Sequence, residues 1–480
     1  MTGPAILWFR QDLRLADNPA LAAAAESGRP ILALYILDDA TPGRWALGEA
    51  SRWWLHDSLA ALGKSLARHR VPLVLRRGQA DTVIDSLVRE SQASAVYWNR
   101  CYEPAAIARD KKIKAGLSQT GVEAASFNAA LLHEPWTLKT GEGGSFKVFT
   151  PFHRALERLG APAAPLPAPK ELRGFAGSLT SDTLESWQLL PTKPDWAAGF
   201  RQSWQPGEAG ARAQLQAFFE APVTYRDGHD RPDMPGTARL SPFLHWGEIG
   251  PRQVWHAVEA RRASGRMTEG DAAAFLRQIV WREFCHHLLF HFPDLPDRPW
   301  RAAFVDFPWR TNGTLLALWQ QGKTGYPIVD AGMRELWVTG WMHNRVRMIA
   351  ASFLIKDLLQ PWQAGEAWFW DTLLDADLAQ NAANWQWVAG CGADAAPYFR
   401  VFNPVLQGVK FDPRGGYVRR WLPALKNVPD DFIHCPWLAP PDVLAQSGVR
   451  LGDNYPAPMI DHAAARSQAL AAYAQIRNAG

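Results

Sequence analysis

Between Asp375 and Trp387 the chain reads Asp-Ala-Asp-Leu-Ala-Gln-Asn-Ala-Ala-Asn-Trp-Gln-Trp, two carboxylates, amides and two indoles in otherwise apolar sequence. Carboxylates near a buried site need cationic or hydrogen-bonding partners. Arg345 and Arg347, in Gly-Trp-Met-His-Asn-Arg-Val-Arg-Met from Gly340 to Met348, can supply them. On a helix Asn344 and Met348 are spaced i,i+4, and Arg345 and Met348 i,i+3, which makes one stripe on one face. Gln278 and Trp281 are i,i+3, and an indole beside an amide suits a pocket for a flat, hydrogen-bonding base. The stretch Gly236-Thr237-Ala238-Arg239-Leu240-Ser241-Pro242 sets Gly and hydroxyl residues before a helix-like segment. Such a helix start serves an anion site or an ordinary N-cap. His287 and His291 have the i,i+4 spacing of a metal pair, but no carboxylate or Cys completes a zinc signature, so they read as packing or capping residues. Each of these segments, taken singly, also fits a polar contact between packed helices or a half-buried core indole.

The elements that position these residues fall into two halves. Short apolar strands are expected at Ala5–Phe9, Pro30–Leu37, Pro72–Arg76, Ala95–Trp98 and Val122–Ala125, separated by helical stretches such as Leu47–Arg68 and Asp81–Ser91. This alternation predicts an α/β domain with a doubly wound, Rossmann-like parallel sheet. No G-x-G-x-x-G follows the first strand and no Walker A sequence is present, so an ordinary dinucleotide or triphosphate site is not expected there. The run Ala-Pro-Ala-Ala-Pro-Leu-Pro-Ala-Pro from Ala161 to Pro169 cannot form a helix or an inner strand and reads as an interdomain connection over the surface. Beyond Gly210 the periodicity is helical, with helices expected over Ala272–Phe292, Ala331–Leu359, Glu366–Leu374 and Asp461–Ile476. The expected organisation is an α/β domain over 1–132, a linker over 133–205, and an all-α domain over 206–480.

Composition narrows the function classes. The chain has 480 residues, 47% hydrophobic and 20% charged, the balance of a soluble globular protein. It has no apolar run long enough for a membrane helix, and its start reads as a first strand, not a secretion signal. Four scattered cysteines without a C-x-x-C pair argue against a zinc or iron–sulfur framework and for reduced thiols in the cytoplasm. A net charge of +4 is too weak by itself to require nucleic acid. The 24 tryptophans stand out: most should fill the core, but the excess suits a planar cofactor or bases as ligands.

Taken in order, the segments resemble the photolyase/cryptochrome family along nearly the whole chain. The resemblance is carried by Leu7-Trp8-Phe9-Arg10-Gln11-Asp12-Leu13-Arg14-Leu15-Ala16-Asp17-Asn18, the Thr237–Ser241 turn, Trp281-Arg282-Glu283-Phe284, Gly325-Tyr326-Pro327-Ile328-Val329-Asp330-Ala331, Trp341-Met342-His343-Asn344-Arg345, the Asp375–Trp387 segment and Ala396-Pro397-Tyr398-Phe399-Arg400. It implies a folded-back FAD in the helical domain, a reduced anion in the active form. By the resemblance, Tyr225 and Thr237, Ala238, Arg239, Leu240 and Ser241 hold its phosphate side. Arg347, Asp375, Ala376 and Asp377 lie around the isoalloxazine and ribityl region, and Asn381 faces flavin N5. The implied activity is light-driven repair of cyclobutane pyrimidine dimers in UV-damaged DNA. Trp281 and Trp387 flank the flipped dimer, while Gln278, Asn344, Arg345, Met348, Gln386 and Arg400 contact lesion or strand. Trp385, Trp362 and Trp309 fall at the family's electron-transfer chain.

Asn381, where light-sensing plant relatives carry Asp, favours repair over a cryptochrome-like photoreceptor. Asn344 and Met348 follow the dimer-repair pattern instead of the His pair of (6-4) photoproduct repair. Three positions depart from the common pattern: Gln278 for Glu, Ala238 for Ser, and His229 for an Arg phosphate contact, with Arg226 and Arg231 nearby as replacements. The stretch Trp187-Gln188-Leu189-Leu190-Pro191-Thr192-Lys193-Pro194-Asp195-Trp196 resembles the linker of the bacterial class III group. That favours methenyltetrahydrofolate over a deazaflavin as antenna. A monomer is expected.

Overall fold

Strand β1 (Ala5–Phe9) is buried along its whole length, the pattern of a strand covered on both faces. In the computed structural model, which describes residues 3–395 and 399–478, it lies at the centre of a five-stranded sheet in the order β3-β2-β1-β4-β5. The other strands are β2 (Ile31–Leu37), β3 (Leu73–Arg77), β4 (Ala95–Asn99) and β5 (Glu123–Phe127). All pairings are parallel, with β1 against both β2 and β4. Helices Pro19–Glu26, Glu49–Arg68, Ala80–Ser91 and Pro104–Gln119 are the crossovers, so the doubly wound α/β expectation holds to within two residues at most boundaries. The β1 carboxyl end continues into the Arg10–Asn18 turn, which clamps the two halves together. The buried Arg14 guanidinium donates to Gly247 O at 2.7 Å and Ala129 O at 2.9 Å, while Leu13 N donates to Trp246 O at 3.1 Å.

Residues 158–184 run along the sheet margin without helix, tied down by backbone bonds such as Ile31 N to Arg173 O and Asp182 N to Leu75 O. Just before them the Phe149–Glu157 helix packs on the long Glu269–His291 helix, in an apolar cluster that includes Phe152, Phe284 and Leu288. Two backbone N–H groups, of Leu132 at 2.9 Å and His133 at 3.3 Å, donate to the buried Glu283 carboxylate of that long helix.

From Glu208 onward, helices and single turns replace strands among the described residues, apart from one isolated bridge. The expected continuous helix over Ala331–Leu359 is broken. Pro327–Thr339 ends at Gly340 in the left-handed region (φ 66°), and the chain restarts as Asn344–Ser352 before a π-helical turn at Phe353–Asp357. Glycine ends a helix there at no steric cost, and the periodicity on either side does not register the break. The interruption sets Trp341–His343 at the head of a new helix. His343 Nδ1 caps that helix by accepting from Arg345 N at 3.2 Å.

Candidate active site

The Tyr225–Ser241 segment is a closed loop. A Cβ on Gly228 would stand 2.8 Å from Gly236 Cα, so both positions must be glycine for the strands of the loop to cross. Tyr225 is buried and stacks on His229 with centroids 4.9 Å apart. Ala238 and Leu240 point into the core, and Ala238 O accepts from Gln214 Nε2 at 3.0 Å. Thr237 is half-buried. Arg239 adopts a positive φ of 50° and inserts its guanidinium between Trp204 and Trp341, 4.4 and 4.9 Å from the ring centroids. Burial lowers its pKa, and its Nε has no partner. Ser241 Oγ accepts from Trp341 Nε1 at 3.1 Å, which locks the loop to the Trp341–His343 turn.

The same turn holds the next residues. Arg347 Nε donates to Met342 O at 2.7 Å and Nη2 to Asp375 Oδ2 at 2.8 Å. The Asp375 side chain is 3% exposed and Arg347 23%, so the cation caps a buried carboxylate whose second oxygen, Oδ1, has no partner. Ala376 is buried between the two acids. Asp377 caps the Leu378–Ala389 helix, accepting from Gln380 N at 2.9 Å. Its other oxygen lies 3.4 Å from His286 Nε2 and 3.9 Å from His245 Nδ1. Burial alone would raise the Asp377 pKa, but His286, His245 and Arg282 outweigh it and hold the carboxyl well below the usual range. One turn on, the buried Asn381 donates from Nδ2 to Glu366 O at 2.9 Å.

The residues expected on the outer side divide. Asn344 is exposed at the head of its helix. Arg345 pairs with Asp230 at 2.8 Å and lies over Phe411 at 4.4 Å, with Met348 Sδ 3.8 Å from its Nη1. Gln278 is exposed, one turn before Trp281 on the long helix. Trp281 stacks face to face on Phe149, 3.5 Å between centroids and 5° between planes. Phe149 N donates to Asp394 Oδ2 at 3.4 Å, and Trp387 Nε1 to Asp394 O at 3.1 Å, so the two expected flanking indoles are joined through Phe149 and Asp394. Arg400 is exposed, and its carbonyl accepts from Lys356 Nζ beside a small surface depression of about 20 Å³ that Trp387 also lines. Residues 396–398 of the Ala396–Arg400 segment lie outside the described residues.

One expectation fails. Gln386 does not reach a ligand surface: it is fully buried, with Nε2 donating to Leu295 O at 2.6 Å and Arg298 O at 2.8 Å while Oε1 accepts from Trp300 N at 2.7 Å. Its amide clamps the loop after the long helix because an i,i+5 step from Asn381 carries it to the opposite side of the helix. Arg231, expected near a phosphate, is paired with Asp233 at 2.6 Å. The metal-like spacing of His287 and His291 serves packing: both rings bond Pro135 O, and His287 Nε2 accepts from Phe146 N.

Trp385 and Trp362 are buried and Trp309 is half-buried, all against one apolar cluster. Trp385 lies on Gly365: a Cβ there would sit 2.5 and 2.7 Å from the indole Cζ3 and Cζ2, and closer to Cη2. Phe369 meets its edge at 5.0 Å and Trp319 at 6.3 Å.

Sequence reasoning missed His245, Asp230 and Phe149, and read His286 with His287 and His291 as a packing or capping residue. Only the His245 position, closing the turn after Ser241, carried a local signal. The assembled ring joins segments 225–245, 281–286, 341–348 and 375–381. The fold and this ring define a two-domain protein whose helical half gathers buried, partly unsatisfied polar groups beneath an outer face of arginine, amide and indole.

Residues 275–475 match the model of the FAD binding domain of DNA photolyase, and residues 5–170 that of DNA photolyase. The chain is 51% identical to the deoxyribodipyrimidine photo-lyase of Agrobacterium fabrum, over 99% of this chain and 98% of that protein. It is 40% identical to Cryptochrome-1 of Arabidopsis thaliana, over 97% of this chain and 69% of that protein. The crystal structure of a bacterial class III photolyase from Agrobacterium tumefaciens superposes with a TM-score of 0.96 at 51% identity, covering 100% of this chain and 98% of the other. The chain belongs to the DNA photolyase/cryptochrome family and carries its FAD-binding domain. FAD fits the donor set: Asp375 Oδ1 is a buried acceptor without a donor, Arg239 Nε a buried donor without an acceptor, and both ring nitrogens of His245 lack partners. Such buried groups are satisfied by a polar ligand.

Proposed function

We propose that this protein repairs cyclobutane pyrimidine dimers in DNA with light, using reduced FAD in its helical domain. The observation that carries the reading is a single short helix, Asn344–Ser352, that serves both sides. Arg347 reaches inward to Asp375, and Asn344 and Arg345 stand one turn away on the outside. A cofactor held by the inner ring is therefore within a helix width of a base held by the outer one.

On this reading the division at 132 and 205 separates the antenna domain, the linker and the catalytic domain. Tyr225 and Thr237–Ser241 hold the phosphates, and Arg347, Asp375, Ala376 and Asp377 hold the flavin and ribityl side. Asn381 attends the redox-active edge. When bound, the flavin supplies light absorption and one-electron transfer. The chain's own residues supply position and exclusion of water. Exposed arginines bind the strand through phosphates, so binding weakens with salt. A dimer stacks poorly with its neighbours, which lowers the cost of turning it out of the helix. Trp281, backed by Phe149, and Trp387 flank it; Asn344, Arg345, Met348, Gln278 and Arg400 face lesion or strand. Trp385, Trp362 and Trp309 connect the site to the surface for electrons.

Methenyltetrahydrofolate is the antenna in this reading, supported by the Trp187–Trp196 linker pattern and the likeness to a class III photolyase structure. Trp187 is anchored by its Nε1 bond to Asp182 at 2.9 Å and packs against Tyr35 of β2. The test is loss of thymine dimers from irradiated DNA with fully reduced protein under blue light, against a dark control. Equal dimer content in both arms eliminates the proposal.

A further inference from the structure

Asp377 Oδ2 is shared by two imidazoles, His245 at the cofactor ring and His286 behind it, to which no part in the redox chemistry has been given. His286 Nδ1 lies 3.1 Å from the Arg282 carbonyl and Nε2 3.4 Å from Asp377, so both ring nitrogens face acceptors. A neutral imidazole carries one N–H and can satisfy only one of them; the imidazolium satisfies both. Burial pushes the His286 pKa down while Asp377 pulls it up, so the two demands oppose each other. His245, 5% exposed, stands 3.9 Å from the same carboxylate, and neither of its ring nitrogens has a hydrogen-bond partner. The other charged groups facing the cluster are Arg282 and Glu103, with the Cys285 thiol beside Asp377. Arg282 is itself engaged, donating from Nη1 to Ala130 O at 2.6 Å. The cluster thus joins the turn that follows the Thr237–Ser241 loop, the long helix, and the cap of the Asn381 helix.

We propose that His245, Asp377 and His286 form a proton-uptake cluster at the cofactor site, which gains one proton when bound FAD is reduced by two electrons to its anion. This rests on FAD occupying the ring described above. In the balance, two electrons and one proton enter the flavin, and a second proton passes from solvent to an imidazole nitrogen of the cluster. The new N–H⁺ offsets the negative charge placed in a site of low dielectric, where an uncompensated charge is costly.

The holoenzyme is reduced at an electrode through a mediator in unbuffered solution, and protons taken up per FAD are counted by back-titration. The wild type should take up one proton more than the flavin itself requires. His245→Gln and His286→Gln keep size and hydrogen bonding but cannot carry the charge, and each should lower the count toward the flavin's own requirement. A wild-type count no greater than that requirement overturns the inference, whatever the variants do. So does a raised count that both variants retain. Dimer repair is assayed on the same preparation: a raised wild-type count without repair supports the cluster while sinking the repair reading.

Discussion

Gly365 offers the sharpest test of how the buried indoles are held. Trp385 is buried among Phe369, Trp319 and the Trp362–Thr372 helix, and it rests on the one helical position that lacks a side chain. In Gly365→Ala the new Cβ would meet Cζ3 and Cζ2 at 2.5 and 2.7 Å. Ordinary carbon contacts are about 3.5–4.0 Å, and Cη2 lies closer than either atom, so the ring must move by more than ~1 Å. Overpacking of this kind costs ~1–3 kcal/mol, while alanine in place of glycine returns ~1 kcal/mol of helix propensity. An indole enclosed on all sides cannot swing away, which puts the net loss at about 1–2 kcal/mol. The control is Gly116→Ala in the Pro104–Gln119 helix, where a Cβ meets nothing within 4 Å; it should gain ~0.5–1 kcal/mol. Urea unfolding of both variants should therefore move the midpoint in opposite directions. Photoreduction of bound FAD should slow in Gly365→Ala and stay unchanged in Gly116→Ala. Midpoints shifting the same way, or normal photoreduction in Gly365→Ala, would refute the contact-based reasoning.

Removing the cation in Arg347→Ala strands the buried Asp375; because Arg347 is 23% exposed, the loss should fall below the ~3–5 kcal/mol of a fully buried pair, with a lower FAD-to-protein absorbance ratio after gel filtration. Asn381→Asp sets a carboxylate against the Glu366 carbonyl and, on the proposed function, beside the flavin, so the reduced cofactor should reoxidise faster in air, followed by the return of oxidised flavin absorbance. Burial raises Glu366 to about 9, Glu248 to about 8 and Glu283 to about 7, each from an ordinary value of 4.5. The folded state therefore holds more protons than the unfolded one across this window, and stability falls as pH rises from 4.5 toward 9, by at most ~1.4 kcal/mol per pH unit for each group. Glu366→Gln should flatten that slope, and its unfolding midpoint relative to wild type should improve more at about pH 8.5 than at about pH 6.

Strand and helix positions in the first half were legible because burial repeats locally. Ala5–Phe9 and Ile31–Leu37 are apolar at every residue, and a run so short suits a strand covered on both faces. The same local reading misplaced a helix across Gly340, since one glycine leaves the periodicity on either side intact. Asn344, Arg345 and Met348 could be assigned one face, because i,i+3 and i,i+4 spacing is a property of the chain itself.

The sequence by itself determined the order of the elements, the polar islands within apolar helices, and the family they resemble. Only the tertiary structure decided which groups face one another. It set Arg347 on Asp375, brought His245 and His286 to one oxygen of Asp377, laid Phe149 flat on Trp281, and turned Gln386 away to the 295–300 loop. The physical reason is that hydrogen bonds and ring stacking act over a few ångströms. Their partners lie tens to more than a hundred residues apart in the chain, where no local spacing can announce them.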